Sequence, residues 1–268
     1  MKNIIKDPRI VSLRLSRKEI KILENFERQW NKILKEIILL RFKGKYRKSI
    51  PENQMPKILE NLTISLFKKT KNKLVLINLA GPSGVGKGTI GERLEKKGIV
   101  RFARTTTRSR RPAEKNGVDY IFLNNDQFNN QKKRGKFLSA FATYGEWRGI
   151  ERKNFWHLIK KKKMFYIDGC AVTSRDVSRA LKEKDLSYLS IFILPPSFEE
   201  LIIRLLSRTT QEREKKVVNT KILRRIRNAL AHLKQSSIVW RGNNLIHVYV
   251  LNDKVGRATN KIFKLIKN

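Results

Sequence analysis

One cysteine, Cys170, stands in 268 residues, which excludes an internal disulfide framework. The three histidines, His157, His232 and His247, are scattered and give no Cys/His cluster of zinc spacing, so surface or packing roles are expected of them. Acidic residues are scarce as well: 23 face 61 basic ones, for a formal net charge of +38 and a sequence pI near 10.7. Such a surplus favours polyanionic company, but it is spread along the whole chain, as a lysine-rich composition would spread it, and charge alone does not single out nucleic acid. No apolar run is long enough to span a bilayer, the first residues lack the apolar segment of a secretory signal, and Asp7 argues against a transit peptide. A cytoplasmic protein with no membrane partner is expected, and internal repeats are missing. The apolar share of 40% suffices for one large α/β domain with a small appendage.

What is present is organised around the stretch Leu74 to Thr89. The apolar run Leu74–Ala80 reads as a buried strand, Gly81-Pro82-Ser83-Gly84-Val85-Gly86-Lys87-Gly88 as a turn, and Thr89 to Lys97 as a helix stopped by Gly98. Glycines at 81, 84 and 86 let successive backbone N–H groups point into one concavity, where a polyphosphate can lie against the positive end of the next helix. Lys87 adds a point charge for the β- and γ-phosphates. The pattern puts Ser or Thr directly after that lysine; here Gly88 intervenes, and Thr89 is the candidate hydroxyl for Mg2+. A nucleotide polyphosphate is the ligand this loop calls for.

The N-terminal 72 residues read as a basic extension. Ile10 to Leu15 alternate like a strand, Ser16-Arg17-Lys18-Glu19 is a capping-box pattern, and helical spacing follows through Phe26 and then from about Asn31 to Phe42. Strand, helix, turn and helix resemble the ribbon-helix-helix DNA-binding fold, in which Ser12 and Arg14 would face bases; packing on the rest of the protein is the alternative. Ile50 to Met55 reads as linker and Ile58 to Phe67 as a short amphipathic helix.

Beyond the phosphate loop the sequence becomes specific. Arg104-Thr105-Thr106-Thr107-Arg108-Ser109-Arg110-Arg111 leads to Glu114, Asn116-Gly117-Val118-Asp119-Tyr120 and Phe122. Two ordered motifs at this separation resemble guanylate kinase. The resemblance continues through Gly135-Lys136-Phe137-Leu138, Gly145 to Gly149, the strand Phe165-Tyr166-Ile167-Asp168, Leu189 to Ser197, the helix Leu201 to Arg208, and Val248 to Asp253. It covers about residues 73–268 and none of the first 72, which sets the expected domain boundary.

The resemblance implies an α/β P-loop nucleoside monophosphate kinase fold with a parallel-sheet core, an acceptor-binding region and a lid, moving the γ-phosphoryl of ATP to a nucleoside monophosphate. Gly81, Ser83, Gly84, Val85, Gly86, Lys87, Gly88, Thr89 and Asn252 are its ATP-binding positions. Arg108, Arg111 and Tyr120 match its acceptor-phosphate residues, and two guanidinium groups three residues apart can indeed fork onto one phosphate. Arg208 and Arg225 match its lid arginines, which with Lys87 and Arg108 form the catalytic set. Asp168 matches a carboxylate at the base pocket.

Five positions depart from the pattern. Ser139 stands where the family has its guanine-binding Glu, and Cys170 where it has the second Asp of Asp-x-Asp. Arg104, Arg148 and Ile150 replace a Ser, a Tyr and a small hydroxyl residue. Guanine presents N1–H and N2–H2 donors that want carboxylates, and each one left unpaired costs about 1–3 kcal/mol. Three readings therefore stay open: a guanylate kinase, a kinase of a phosphorylated sugar such as ribose 1,5-bisphosphate, or a diverged domain that binds ATP or, through the basic N-terminal region, nucleic acid. Packing is the expected role of Trp147 and Trp156, and of the Cys170 thiol.

Overall fold

The computed structural model describes residues 8–11, 15–42, 50–68, 73–143, 145–210, 220–240 and 243–267. The chain opens with α1 (Pro8–Val11), α2 (Arg17–Arg41), a 3-10 turn (Glu52–Gln54) and α3 (Met55–Leu66). Then come β1 (Lys73–Ala80), α4 (Lys87–Glu95), β2 (Val100–Arg101), β3 (Arg104–Thr106), β4 (Tyr120–Phe122), α5 (Asn125–Lys133), β5 (Phe137–Thr143), β6 (Glu146–Glu151), α6 (Arg152–Lys160), β7 (Phe165–Asp168), α7 (Ala171–Lys182) and β8 (Leu186–Leu194). It closes with α8 (Phe198–Thr210), α9 (Thr220–Gln235), β9 (Val239–Trp240), β10 (Asn243–Asn244), β11 (Val248–Leu251) and α10 (Val255–Lys267). No described helix is long and apolar enough to cross a membrane.

Two compact units emerge: Met1–Phe67, Gly81–Lys87 and Phe192–Ala258 make the first, and Lys68–Ala80, Gly88–Ile191 and Thr259–Asn268 the second. The five-stranded sheet has the order β11-β8-β1-β7-β2. In the second unit β1 and β2 flank β7 in parallel register, Leu76 opposite Phe165 and Val100 opposite the same residue. This is the parallel core that near-continuous apolar runs such as Leu74–Ala80 require, because both faces are covered. Val75, Leu76, Phe102, Ile150, Phe155, Phe165, Ile167, Val177 and Leu181 fill it. A second sheet, order β4-β3-β6-β5, belongs to the same unit. Trp147 stacks on Phe128 with ring centroids 5.6 Å apart, and Trp156 meets Phe155 edge-on at 5.2 Å, so both tryptophans are used in packing as expected.

In the first unit, the N-terminal helices depart from the expected strand, helix and second helix. Ile10 and Val11 lie in the one-turn helix α1, whose first residue, Pro8, has its φ already set for helix; residues 12–14, and with them Ser12 and Arg14, lie outside the described residues. Ser16 does close a capping box with Glu19. From there α2 runs unbroken for 25 residues, because no Gly or Pro interrupts it and the buried stripe Leu23, Phe26, Trp30, Leu34, Ile37 and Ile38 continues across the expected turn. A ribbon-helix-helix layout is thereby overturned. The stripe packs on α9, and α3 packs on β11.

One contact in this unit carries a pH signature. Glu27 of α2 is half-buried and faces Glu199 of α8 and Glu52. Burial first, then the charge and hydrogen bond of Glu199, raise its pKa from 4.5 to about 7. The folded state therefore holds a proton that the unfolded chain releases above pH 4.5, and that stabilisation is lost as pH rises through 7. Glu27→Gln removes the ionisation. It is expected to stabilise the protein at pH 8 by about 1–2 kcal/mol, reduced from the full linkage value because the site is half open to solvent, and by little at pH 4.5. Thermal melts at the two pH values test this; an equal shift at both would refute it.

Candidate active site

The phosphate loop occupies residues 81–86, between the end of β1 and the first residue of α4. Gly86 has φ +87°, and a Cβ there would come within 2.5 Å of the Asn252 amide nitrogen, so only glycine fits. Asn252, buried at the end of β11, donates from Nδ2 to the Val85 carbonyl at 2.8 Å and from its backbone N–H to Leu194 at 2.9 Å. Its own carbonyl accepts from Arg204 at 3.1 Å. Expected as an ATP contact, Asn252 here ties the loop to β8 and β11. Val85 is fully buried beneath the loop, while Ser83 is half-exposed. Lys87 Nζ donates to the carbonyls of Gly81 and Pro82 at 2.8 and 2.9 Å, which brings its charge back over the loop.

Gly88 and Thr89 are exposed in the first turn of α4, and a Cβ on Gly88 would meet nothing within 4 Å. The loop glycines, the helix N-terminus and Lys87 fit a polyphosphate. Mg2+ keeps most of its shell as water and phosphate oxygens, so the single protein hydroxyl of Thr89 fits it; among the described residues no cluster of three or more His, Cys, Asp or Glu side chains forms a cage.

The second unit gathers the acceptor candidates on one face of the sheet β4-β3-β6-β5. The register pairs Arg104 with Tyr120, Thr106 with Phe122 and with Arg148, Phe141 with Arg148, and Ser139 with Ile150. Paired residues share a face and alternate residues return to it; Tyr120, Arg104, Arg148 and Ser139 thus line the same side. A bulge between Phe137 and Ser139 turns the serine to that side, away from Phe137, which stacks on Phe128 on the other.

Against this face comes Asp168 from the end of β7. It accepts from the Tyr120 hydroxyl at 3.3 Å and lies 3.6 Å from an Arg104 nitrogen. Arg104 is 3% exposed. Burial disfavours its charged form, but Asp168, with Tyr120 and Cys170, outweighs burial and raises its pKa. Position 168 is held by a buried polar knot: Asn78 of β1 donates to Ser174 at 2.6 Å, Ser190 at 3.0 Å and the Cys170 carbonyl at 3.3 Å. A Cβ on Gly169 would sit 1.9 Å from Asn78 Oδ1, so the residue after Asp168 has to be glycine. Cys170 is a buried free thiol at the N-cap of α7, 3.6 Å from the Thr173 hydroxyl.

The arginine pair is assembled by Glu114, a motif residue to which the sequence gives no role of its own. Glu114 accepts from Arg108 Nη2 with both oxygens, at 2.7 and 2.8 Å, and from the backbone N–H of Arg111 at 2.9 Å; Arg111 Nη1 lies 3.7 Å from the same carboxylate. Arg108 also stacks over Tyr120 at 5.2 Å and Phe122 at 5.6 Å. Two guanidinium groups so gathered around one carboxylate have the spacing to converge on a phosphate. Asn116 Oδ1 accepts from the Phe122 N–H at 3.0 Å, and Asp119 pairs with Arg101 at 2.6 Å; these motif residues build the turn that delivers Tyr120. Arg148 pairs with Glu146 at 3.2 Å.

Of the two arginines expected in a lid, Arg225 lies on α9, half-buried, and its Nη1 finds no hydrogen-bond partner among the described residues. Arg208 lies in the last turn of α8, and residues 211–219 between the two helices are outside the described residues. A further carboxylate, Asp176 of α7, was missed by sequence reading; its Oδ2 accepts from Ser139 Oγ at 2.6 Å. No motif marks it, since a lone acidic residue in the second turn of a helix is ordinary.

Comparison with known proteins follows the same lines. The guanylate kinase family model matches residues 71–251. The chain is 33% identical over 202 residues to the guanylate kinase of Malacoplasma penetrans, covering 73% of this chain and 92% of that protein. With the guanylate kinase of Symbiobacterium thermophilum it shares 32% over 199 residues, 73% of this chain and 86% of the other. The crystal structure of guanylate kinase from Anaplasma phagocytophilum shares the fold, with a TM-score of 0.52 at 20% identity, over 73% of this chain and 85% of that one.

Proposed function

Because the chain belongs to the guanylate kinase family, we propose that it is a cytoplasmic guanylate kinase converting GMP and ATP to GDP and ADP with Mg2+. The observation that carries this reading is the gathering of Arg108 and Arg111 on Glu114 beside Tyr120. A phosphoryl acceptor needs its own phosphate gripped so that its oxygen points in line, and transfer asks for positioning and charge neutralisation more than covalent chemistry. In this reading Arg108, Arg111 and Tyr120 hold the GMP phosphate, with Glu114 keeping the arginine heads preset. Gly81 to Thr89 bind the polyphosphate, Lys87 neutralises charge at the transferred group, and Thr89 contributes a ligand to Mg2+. Arg208 and Arg225 complete the neutralisation.

Carboxylates match the added arginines, Arg104 by Asp168 and Arg148 by Glu146. That pairing leaves no surplus charge for the second phosphate of a sugar bisphosphate, and it favours GMP over ribose 1,5-bisphosphate. Coupled ADP release from ATP and Mg2+, across GMP, dGMP, AMP, CMP, UMP and ribose 1,5-bisphosphate, tests the reading. GMP is expected to be turned over at least tenfold faster than any non-guanine acceptor. Faster turnover of the sugar bisphosphate, or none on any acceptor while ATP still binds, would overturn it.

A further inference from the structure

Both carboxylates that the family pattern sets against the guanine edge are missing, at Ser139 and Cys170. We propose that Asp176, oriented by Ser139, reads the N1–H and N2–H2 donors of guanine in their place. This inference rests on the guanylate kinase reading and names the specificity residue of the same site.

Three observations support it. First, the bulge after Phe137 sends the Ser139 side chain to the face that also carries Arg148, Arg104 and Tyr120, so a serine in the pocket is a serine against that face. Second, the hydroxyl does not stand alone there: it donates to Asp176 Oδ2 at 2.6 Å. The family's single long carboxylate on β5 is thereby replaced by a short hydroxyl plus a carboxylate reaching in from α7, which packs on β5. Third, Asp176 has capacity left. Its side chain is 16% exposed, and its other oxygen accepts from Arg175 Nε at 2.9 Å. A carboxylate offers about four lone-pair sites, enough for the two parallel N–H donors of one guanine edge.

Asp168 and Asp176 divide the labour along the face. Asp168 serves Arg104 on β3 and Tyr120 on β4, while Asp176 serves β5, two strands from β3 in the sheet, or about 10 Å away in strand spacing. That leaves the arginine and tyrosine end for phosphate and sugar and the Asp176 end for the base. Adenine sets an N1 lone pair where guanine has N1–H, so the carboxylate repels it; hypoxanthine keeps N1–H and lacks the amine, and loses one of the two bonds. The pattern accepts guanine and ranks hypoxanthine below it and adenine last.

The test is Asp176→Asn, an isosteric change, with kcat/KM measured for GMP, IMP and AMP, and the KM for ATP and the thermal midpoint as fold controls. The expected result is a loss of about 10²-fold or more in kcat/KM for GMP, carried mostly by KM, with GMP-over-IMP discrimination collapsing towards one and the ATP KM within twofold of wild type. Ser139→Ala keeps the carboxylate but frees its rotamer, and should raise the GMP KM several-fold while preserving the ranking of bases. Adding Ser139→Glu to Asp176→Asn returns a carboxylate to β5 and should recover at least a tenth of the lost GMP activity. A wild-type enzyme that prefers GMP and an Asp176→Asn variant that keeps that preference would overturn this inference and leave the function standing. A wild type that ranks IMP or AMP with GMP would overturn both.

Discussion

Lys87→Ala is expected to lower kcat/KM by about 10²–10³-fold, the usual cost of removing one preorganised charge from a transferring group, while the thermal midpoint stays within a few degrees of wild type. The asymmetry follows from where the side chain is anchored. Its ammonium donates to the carbonyls of Gly81 and Pro82, neighbours within the loop, and each of these local bonds is worth about 1 kcal/mol in net terms. The loop's shape does not rest on them, since Val85 is buried and its carbonyl is held by Asn252. A polyphosphate entering the loop competes with those two carbonyls for the ammonium, and as a dense anion it wins. Lys87→Arg should restore only part of the activity, because a planar guanidinium cannot replace a compact charge in so tight a turn. Steady-state kinetics with GMP and ATP, alongside a melt, check both halves; more than a tenth of wild-type activity in Lys87→Ala would refute the role given to the loop lysine.

The parts of this protein that local chemistry dictates were legible in its sequence. A strand, a glycine turn and a helix at residues 74–97 need only neighbouring residues to be recognised, and so does the Ser16 capping box. Tyr120 and Asp168 were each marked by the resemblance, but their hydrogen bond was not. What escaped depends on tertiary partners. The continuity of α2 past residue 30 is decided by burial of Trp30, and no local signal separates a buried stripe from two shorter amphipathic helices. The face that Ser139 presents is set by one extra residue in β5, which an ungapped reading passes over, and Asp176 reaches it from 37 positions away. Glu114 stood in the motif itself, but its work of gathering two arginines depends on how the turn between β3 and β4 folds.

Glu60→Ala is expected to cost about 2–4 kcal/mol of stability and roughly 5–15 °C in thermal midpoint, although residue 60 lies before the family match begins. The reason is the free edge of β11, the last strand of its sheet. An edge strand carries backbone N–H groups that need partners, and α3 supplies them from side chains. Glu60, fully buried, accepts from the Leu251 N–H at 2.8 Å, and Thr63 from the Tyr249 N–H at 3.0 Å. Residues three apart on a helix advance about 4.5 Å and residues two apart on a strand about 6.8 Å, and the longer glutamate spans the difference. Alanine would leave the Leu251 N–H buried without its acceptor and remove a carboxylate 2.8 Å from Lys57. Glu60→Gln keeps a carbonyl oxygen and should cost about 1 kcal/mol or less. Because Asn252 follows Leu251 directly and grips the phosphate loop through Val85, the alanine variant should also raise the KM for ATP several-fold while the KM for GMP stays put. Equal losses in the alanine and glutamine variants would show that the carboxylate does not cap the edge. The expected split instead makes the N-terminal helices a structural part of the ATP-binding unit, which a freely tethered appendage could not be.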